Sequence, residues 1–311
     1  MEYAVLFPGQ GSQFVGMGAT LFDTRPELLG HQADEALGWS LRDACLEGPA
    51  DHLRKTDIAQ PALYALSYAA WTLWSERVAQ PPIAAAGHSL GEYTALAAAG
   101  VLDYFDGLAL VAERGRAMSA AAADIPSGMA AVMGAEVEEL EAICSRRRND
   151  GGRLWVANLN APGQTVLAGA DVDIAWLVEQ TAQLGLRRVV PLEVAGAFHT
   201  PLMDGAAAAF SIELTKQSFL GPTFPVWSNV DATPYGGDAT GSLLRQLTSP
   251  VRFGDSLAAM AAAGAEGFLH LGPGSVTTGM ARRAVDGAQT AAAADSTTIS
   301  QAAAQLELSV D

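Results

Sequence analysis

Ile83-Ala-Ala-Ala-Gly87-His88-Ser89-Leu90-Gly91-Glu92-Tyr93 decides how this chain is read. Residues 83–86 are a short apolar run of the kind that forms a strand buried on both faces, and Gly87 ends it. From Leu90 to Ala99 the composition favours a helix, so a strand, a turn on Ser89 and a helix follow one another. Gly87, Ser89 and Gly91 fit G-x-S-x-G, in which small flanking residues let a sharp strand-to-helix turn lift the serine above the sheet edge. Ser89 is therefore a candidate nucleophile, weighed against the plainer reading of a serine that merely caps a helix. The Leu90 amide lies in the first turn of that helix, where an N–H can face a developing oxyanion.

The same alternation continues on both sides. Tyr3-Ala-Val-Leu-Phe7 reads as a buried strand stopped by Pro8-Gly9, and Thr20 to Ser75 reads as short helices broken at Pro26, Pro49 and Pro61. Between Ser127 and Val190 the pattern gives strand Met129–Met133, helix Glu136–Arg147, strands Leu154–Asn158 and Thr165–Ala168, helix Val172–Leu184 and strand Arg187–Val190. That β-α-β-β-α-β order is ferredoxin-like and predicts a small subdomain over 127–196, inserted in a large one formed by 1–126 and 197–311. Beyond it come a helix Ala206–Gln217, a strand Val226–Asn229, a helix Gly254–Ala263, a strand Gly267–Leu271 and a closing Ala291–Asp295 with a final short helix. Strands alternating with helices place the chain in the α/β class with a mainly parallel sheet.

Composition narrows the function. Half of the 311 residues are hydrophobic, enough for a substantial core, while 18 basic against 34 acidic residues give a net charge of −16. So acidic a chain is a poor partner for nucleic acid. No apolar run approaches the ~18 residues of a membrane span, and Met1-Glu2-Tyr3 lacks a secretory pattern, so a cytoplasmic protein is expected. Cys45 and Cys144 lack metal-ligand spacing and read as buried fillers.

A serine nucleophile needs a base, and there are five histidines. His31 and His52 lie in polar helical stretches and are expected to face solvent; His88 adjoins Ser89 and should pack or hydrogen-bond beneath the turn. His199 follows Ala195-Gly-Ala-Phe198 at the return from the small subdomain, a junction where clefts form, whereas His270 sits within Phe268-Leu-His-Leu271, where simple alternation in a strand accounts for it equally well. Gly9, Gly11 and Gly16 miss the dinucleotide spacing, and neither a phosphate-binding G-x-x-x-x-G-K-[ST] nor H-E-x-x-H occurs. No metal site and no resident cofactor are expected.

Seven motifs in order resemble the malonyl-CoA:acyl carrier protein transacylases and the related acyltransferase domains of polyketide synthases. They are Phe7-Pro-Gly-Gln-Gly-Ser-Gln13, Gly87-His-Ser-Leu-Gly-Glu-Tyr93, Arg114-Gly-Arg-Ala-Met118, Ala157-Asn-Leu-Asn-Ala-Pro-Gly-Gln164, Ala197-Phe-His199, Gln246-Leu-Thr-Ser-Pro-Val251 and Leu271-Gly-Pro-Gly274. The resemblance implies an α/β-hydrolase-like large subdomain beside the ferredoxin-like one. It implies Ser89 as nucleophile, His199 as base, the backbone N–H groups of Gln10 and Leu90 as oxyanion hole, and the Gln246 carbonyl as the group that orients the histidine. Arg114 would grip a malonyl carboxylate, with Met118 and Phe198 also against the substrate. Phe198 with Leu90 points to malonyl over methylmalonyl, although Gly196 departs from the synthase pattern.

The implied activity is malonyl transfer from malonyl-CoA to the phosphopantetheine thiol of an acyl carrier protein, for fatty acid or polyketide synthesis, by a monomer. The physics agrees: a planar guanidinium makes two parallel bonds to a carboxylate and so selects a dicarboxylic half-thioester over acetyl. The rivals are a serine esterase, thioesterase or editing hydrolase, in the esterase case using Ser89, Asp231 or Asp238, and His270, and a carrier-docking module without catalysis. Carrier docking would have to be local in so acidic a chain, at Arg146-Arg147-Arg148 with Arg153, at Arg187-Arg188, or at Arg282-Arg283.

Overall fold

In the computed structural model, which describes residues 1–237 and 239–310, β1 (Tyr3–Phe7) is buried at all five positions. Its period-two alternation sets the layers: Tyr3, Val5 and Phe7 enter the main core, while Ala4 and Leu6 enter a second core on the opposite face of the sheet. Short helices follow: α1 (Ala19–Thr24), α2 (Pro26–Leu29), α3 (His31–Leu37), α4 (Leu41–Leu46) and α5 (Ala50–Leu53). Pro26 begins α2 and Pro49 precedes α5, as their sequence suggests. Pro61 does not break the chain, because α6 (Thr56–Arg77) runs straight through it. A proline there removes one bond, to the Asp57 carbonyl near the helix start, and burial of α6 from Thr56 to Trp74 offsets that loss.

β2 (Ala84–Gly87), α7 (Gly91–Ala98) and α8 (Tyr104–Asp124) come next. The second sheet is then built from β3 (Ser127–Met133), α9 (Val137–Asn149), β4 (Leu154–Ala161), β5 (Gln164–Ala170), α10 (Asp171–Glu179) and β6 (Arg188–Pro191). The chain returns through a 3-10 turn at Pro201–Met203 to α11 (Asp204–Leu214), β7 (Val226–Trp227), α12 (Ala239–Gln246), α13 (Phe253–Ala262), β8 (Gly267–Leu271), α14 (Val276–Ala284), β9 (Gln289–Ala293) and α15 (Ser296–Gln305). The sequence patterns predict neither α12 nor α14, and α10 stops at Glu179, short of the predicted Leu184.

The first sheet has the order β7-β2-β1-β8-β9, parallel throughout, with Phe7 level with Gly87 at the carboxyl ends of the two central strands. The loops leaving β1 and β2 therefore share one crevice, the place where open parallel sheets bind ligands. The second sheet has the order β4-β5-β3-β6, antiparallel throughout, which is the ferredoxin-like arrangement. Ala130 and Val132 of β3 face a core closed by α9 and α10, so the alternate residues Met129 and Ala131 face the crevice.

β4 is three residues longer than the sequence suggests and carries two register shifts, between Val156 and Asn158 and between Leu159 and Ala161. Such irregularities re-aim side chains, and here Asn158 and Asn160 both line the crevice. The edge of β4 is joined to the other subdomain, with Leu159 N–H donating to Val251 O (2.8 Å) and Val251 N–H to Ala157 O (2.9 Å). Cys45 and Cys144 are free and buried, and burial pushes both thiols up to about 12. Among the described residues no helix is long and apolar enough to cross a membrane.

Candidate active site

The turn between β2 and α7 leaves no room for side chains at its glycines. A Cβ on Gly87 would stand 1.8 Å from the Gly91 carbonyl carbon, and one on Gly91 2.4 Å from the Phe7 oxygen. Between them Ser89 adopts φ 51°, a left-handed conformation that a non-glycine residue holds only where its surroundings enforce it. Asn229 supplies part of that constraint: its Oδ1 accepts from Ser89 N–H (2.8 Å) and its Nδ2 donates to Gly87 O (2.7 Å). His88 goes beneath the turn as expected, with Nε2 2.7 Å from Asn160 Oδ1 of β4 and its ring edge-on to Phe253. Burial lowers its pKa.

His199 stands opposite Ser89, also with a positive φ of 62°. Its Nε2 is 2.8 Å from Ser89 Oγ and its Nδ1 is 2.7 Å from the backbone oxygen of Gln246. A carbonyl only accepts, so Nδ1 carries the hydrogen and the Nε2 lone pair is left facing the serine hydroxyl. Burial, then the positive charge of Arg114, push the His199 pKa down to about 3. The imidazole is neutral over the whole physiological range.

Arg114, from the middle of α8, is fully buried. Nη1 donates to Gln60 Oε1 (2.6 Å), and Nη2 donates to Ser89 Oγ (3.1 Å) and Gln246 Oε1 (2.9 Å). Its guanidinium lies 5.3 Å from the centre of the Tyr93 ring, and its Nε has no partner among the described residues. Desolvation lowers its pKa. The cation is thus fixed beside the Ser89 hydroxyl by neutral groups that a carboxylate could displace or join.

These residues border a cleft of about 240 Å³ that Gln10, Leu90, Met118 and Phe198 also line. The Gln10 side chain donates to Thr56 Oγ1 (3.3 Å), and Gly9 lies so close to the serine turn that a Cβ there would meet His88 O at 2.5 Å. The loop after β1 is therefore pressed onto the turn after β2. Gly196 is equally tight: a Cβ would lie 2.8 Å from Ala122 Cβ and 2.9 Å from the Phe198 ring, so its lack of a side chain is what seats that ring.

The histidine of the rival esterase reading does not meet Ser89. His270 is buried in β8 on the face away from the main core, with Nδ1 2.7 Å from Thr277 Oγ1 and Nε2 3.2 Å from Pro273 O. Asp231 is exposed and paired with Arg245 at 2.8 Å, and Asp238 lies outside the described residues. His31 is exposed and close to Glu35, whereas His52 is half-buried in α5.

Gln60, Glu92, Asn160, Asn229 and Tyr235 take part in the site although sequence reading passed over them. Glu92 left a trace: it is the one charged residue in α7, whose residues are all buried. Gln60 likewise interrupts a buried apolar run in α6.

Residues 5–303 match the acyl transferase domain family. The malonyl CoA-acyl carrier protein transacylase of Escherichia coli strain K12 is 39% identical over 289 residues, covering 92% of this chain and 93% of that one. The crystal structure of malonyl-CoA:acyl carrier protein transacylase from Xanthomonas oryzae pv. oryzae superposes with a TM-score of 0.92 at 36% identity, covering 99% of this chain and 100% of the other. A chain of a type II PKS acyl-carrier protein in complex with its malonyl-transacylase gives a TM-score of 0.90 at 35% identity, with coverage of 97% and 99%. The chain belongs to the acyl transferase family, within its malonyl CoA-acyl carrier protein transacylase branch.

Proposed function

We propose that this protein moves a malonyl group from malonyl-CoA to the phosphopantetheine thiol of an acyl carrier protein through an acyl-enzyme on Ser89. The observation that carries the reading is one oxygen with two neighbours: Ser89 Oγ is 2.8 Å from a neutral imidazole nitrogen and 3.1 Å from a buried guanidinium. A base alone would suit any ester; the cation adds a seat for a second, charged carboxyl group on the acyl chain. The names of the relatives, and the carrier-protein complex of one of them, support the same substrates.

In the first half-reaction His199 Nε2 takes the serine proton as Oγ bonds to the thioester carbonyl carbon. The Leu90 and Gln10 N–H groups face the resulting oxyanion, and collapse breaks the C–S bond. The leaving thiolate takes the proton back from His199. In the second half-reaction the carrier thiol gives its proton to His199 as its sulfur bonds to the ester carbonyl carbon, and collapse breaks the C–Oγ bond, with Ser89 taking the proton back from His199. The Gln246 carbonyl supports the transient imidazolium without supplying a charge.

Arg114 has a further effect on this base. Its charge is the second cause of the low His199 pKa, so a carboxylate seated on the guanidinium relieves that depression. Malonyl thereby strengthens the base that attacks on its behalf, and acetyl does not.

Intact-protein mass measurement after mixing with malonyl-CoA tests the proposal. A malonyl adduct that Ser89→Ala abolishes, and that passes to added holo carrier protein, is the expected result. Release of free malonate in the presence of carrier would favour a hydrolase, and no adduct would favour a docking module.

A further inference from the structure

Glu92 is 1% exposed, and both of its carboxylate oxygens are engaged. Oε1 accepts from Asn229 N–H (2.9 Å) and from the Tyr235 hydroxyl (2.6 Å), and Oε2 accepts a short bond from Gln246 Nε2. Gln246 is in turn a hub. Its Nε2 also donates to Ser89 O (2.8 Å), its Oε1 accepts from Arg114 Nη2 (2.9 Å), and its backbone oxygen holds His199 Nδ1 (2.7 Å).

A carboxylate has no hydrogen to donate, so it admits only the NH2 side of the Gln246 amide. The amide oxygen is thereby turned toward Arg114. A neutral group in place of Glu92 accepts either face of the amide, and the flipped one sets NH2 against guanidinium. We propose that Glu92 is a positioning residue for acyl transfer: its carboxylate fixes the Gln246 side chain, and through it the Arg114 guanidinium and the carbonyl on which His199 rests. This rests on the reading of Ser89 and His199 as nucleophile and base.

The ionisable groups around Glu92 are Arg114 from α8, Tyr235 from the loop after β7 and Tyr93 beside it on α7, with His199 beyond Gln246. Burial raises the Glu92 pKa to about 7, against the lowering effects of Tyr235, Asn229, Gln246 and Arg114. Two ionisations therefore bear on acylation: that of His199, which rises from about 3 once a carboxylate meets Arg114, and, near neutrality and tuned by Tyr235, that of Glu92. Below it the carboxyl is protonated and the orienting charge is gone; above it the rate levels off.

The test is the rate of malonyl adduct formation on Ser89, followed by quenching and mass measurement across roughly pH 5 to 9. The wild-type rate is expected to rise through a midpoint near neutrality. Glu92→Gln should slow acylation ~10- to 100-fold, the scale of a small misplacement of reacting groups, and should remove the midpoint. Tyr235→Phe deletes a bond that favours the ionised carboxylate and should move the midpoint to higher pH. A merely structural role would lower the fraction of competent enzyme and leave the midpoint where it was. Glu92→Gln with an unchanged rate and midpoint, or Tyr235→Phe with an unmoved midpoint, overturns the proposal; the tyrosine variant decides alone if the glutamine variant does not fold. A wild-type protein that forms no adduct at any pH would instead refute the acyl-enzyme reading.

Discussion

The surroundings of His199 and His270 make an instructive pair. Each ring is buried, each is bonded through both nitrogens, and burial lowers both pKa values, to about 3 and about 4. Their partners separate them. His199 joins a backbone carbonyl to a hydroxyl held at a strained turn, beside a buried cation. His270 joins the Pro273 carbonyl to Thr277, and so ties the loop after β8 to the first turn of α14, which borders the cleft through Val276 and Thr277. Suppressed basicity is thus a mark of burial in both places; what sets His199 apart, and carries the proposal that it is the base, is a lone pair with the Ser89 hydroxyl in front of it.

The widest separation between the two should come from His199→Ala, expected to slow Ser89 acylation by ~10²–10⁴, the usual scale of general-base loss. Burst labelling by malonyl-CoA measures it, and equal sensitivity in His270→Ala would erase the distinction. Arg114→Ala comes next and isolates what the cation contributes. A malonyl carboxylate left buried and unpaired should lose ~2–5 kcal/mol of transition-state stabilisation, while acetyl transfer is spared or improved. The ratio of kcat/KM for malonyl-CoA and acetyl-CoA reads this directly. An equal loss on both substrates would make Arg114 structural.

His270→Ala is expected to leave acylation within a few-fold of wild type and to lower stability by about 1–3 kcal/mol, because Thr277 loses its buried partner. The pH dependence has a definite sign. With a native pKa of about 4 against an ordinary 6.5, the unfolded chain binds more protons between those values. The contribution of His270 is therefore complete above 6.5 and is lost as pH falls toward 4. Urea unfolding at several pH values should show a shallower acid-side decline in the variant. The smallest effect concerns docking. Arg147 is neutralised by Asp173, and Arg148 is bound to the Leu154 carbonyl, whereas Arg282 and Arg283 meet only the neutral side chains of Thr290 and Gln164, the latter a residue that lines the cleft. Reversing Arg282 and Arg283 to glutamate should raise the carrier KM several-fold and leave that for malonyl-CoA nearly unchanged, with the α9 arginines less sensitive.

Strong local patterns made much of the fold legible. The apolar runs of β1, β2 and β8 and the βαββαβ rhythm from Ser127 to Pro191 needed no tertiary information. α12 and α14 were missed because Ala-Thr-Gly-Ser and Val-Thr-Thr-Gly are weak helix openings that tertiary packing overrides. Pro61 misled for the same reason, since a local penalty was outweighed by burial of the whole helix. In the candidate site, the strand-to-helix turn at Ser89 is readable from its flanking glycines, but residues alone leave the proposed base open between His199 and His270. Gln246 meets His199 through its main chain, which no residue type reveals. Asn160, from β4, and Asn229, from the turn after β7, reach the serine turn from distant parts of the chain, and only the closed fold shows that they meet it.

The backbone pairing of Leu159 with Val251, five residues after Gln246, bears on how substrates come and go. Together with the His88–Asn160 bond it rivets the two subdomains at the inner end of the cleft. A swing that parted the walls would tear out the Gln246 carbonyl that supports His199, so on the proposed function the enclosure should act as a slot into which a thioester arm is threaded, not as a jaw that closes over it. Amide hydrogen exchange at Leu159 and Val251 should then be as slow as in the central strands, and should stay slow throughout turnover.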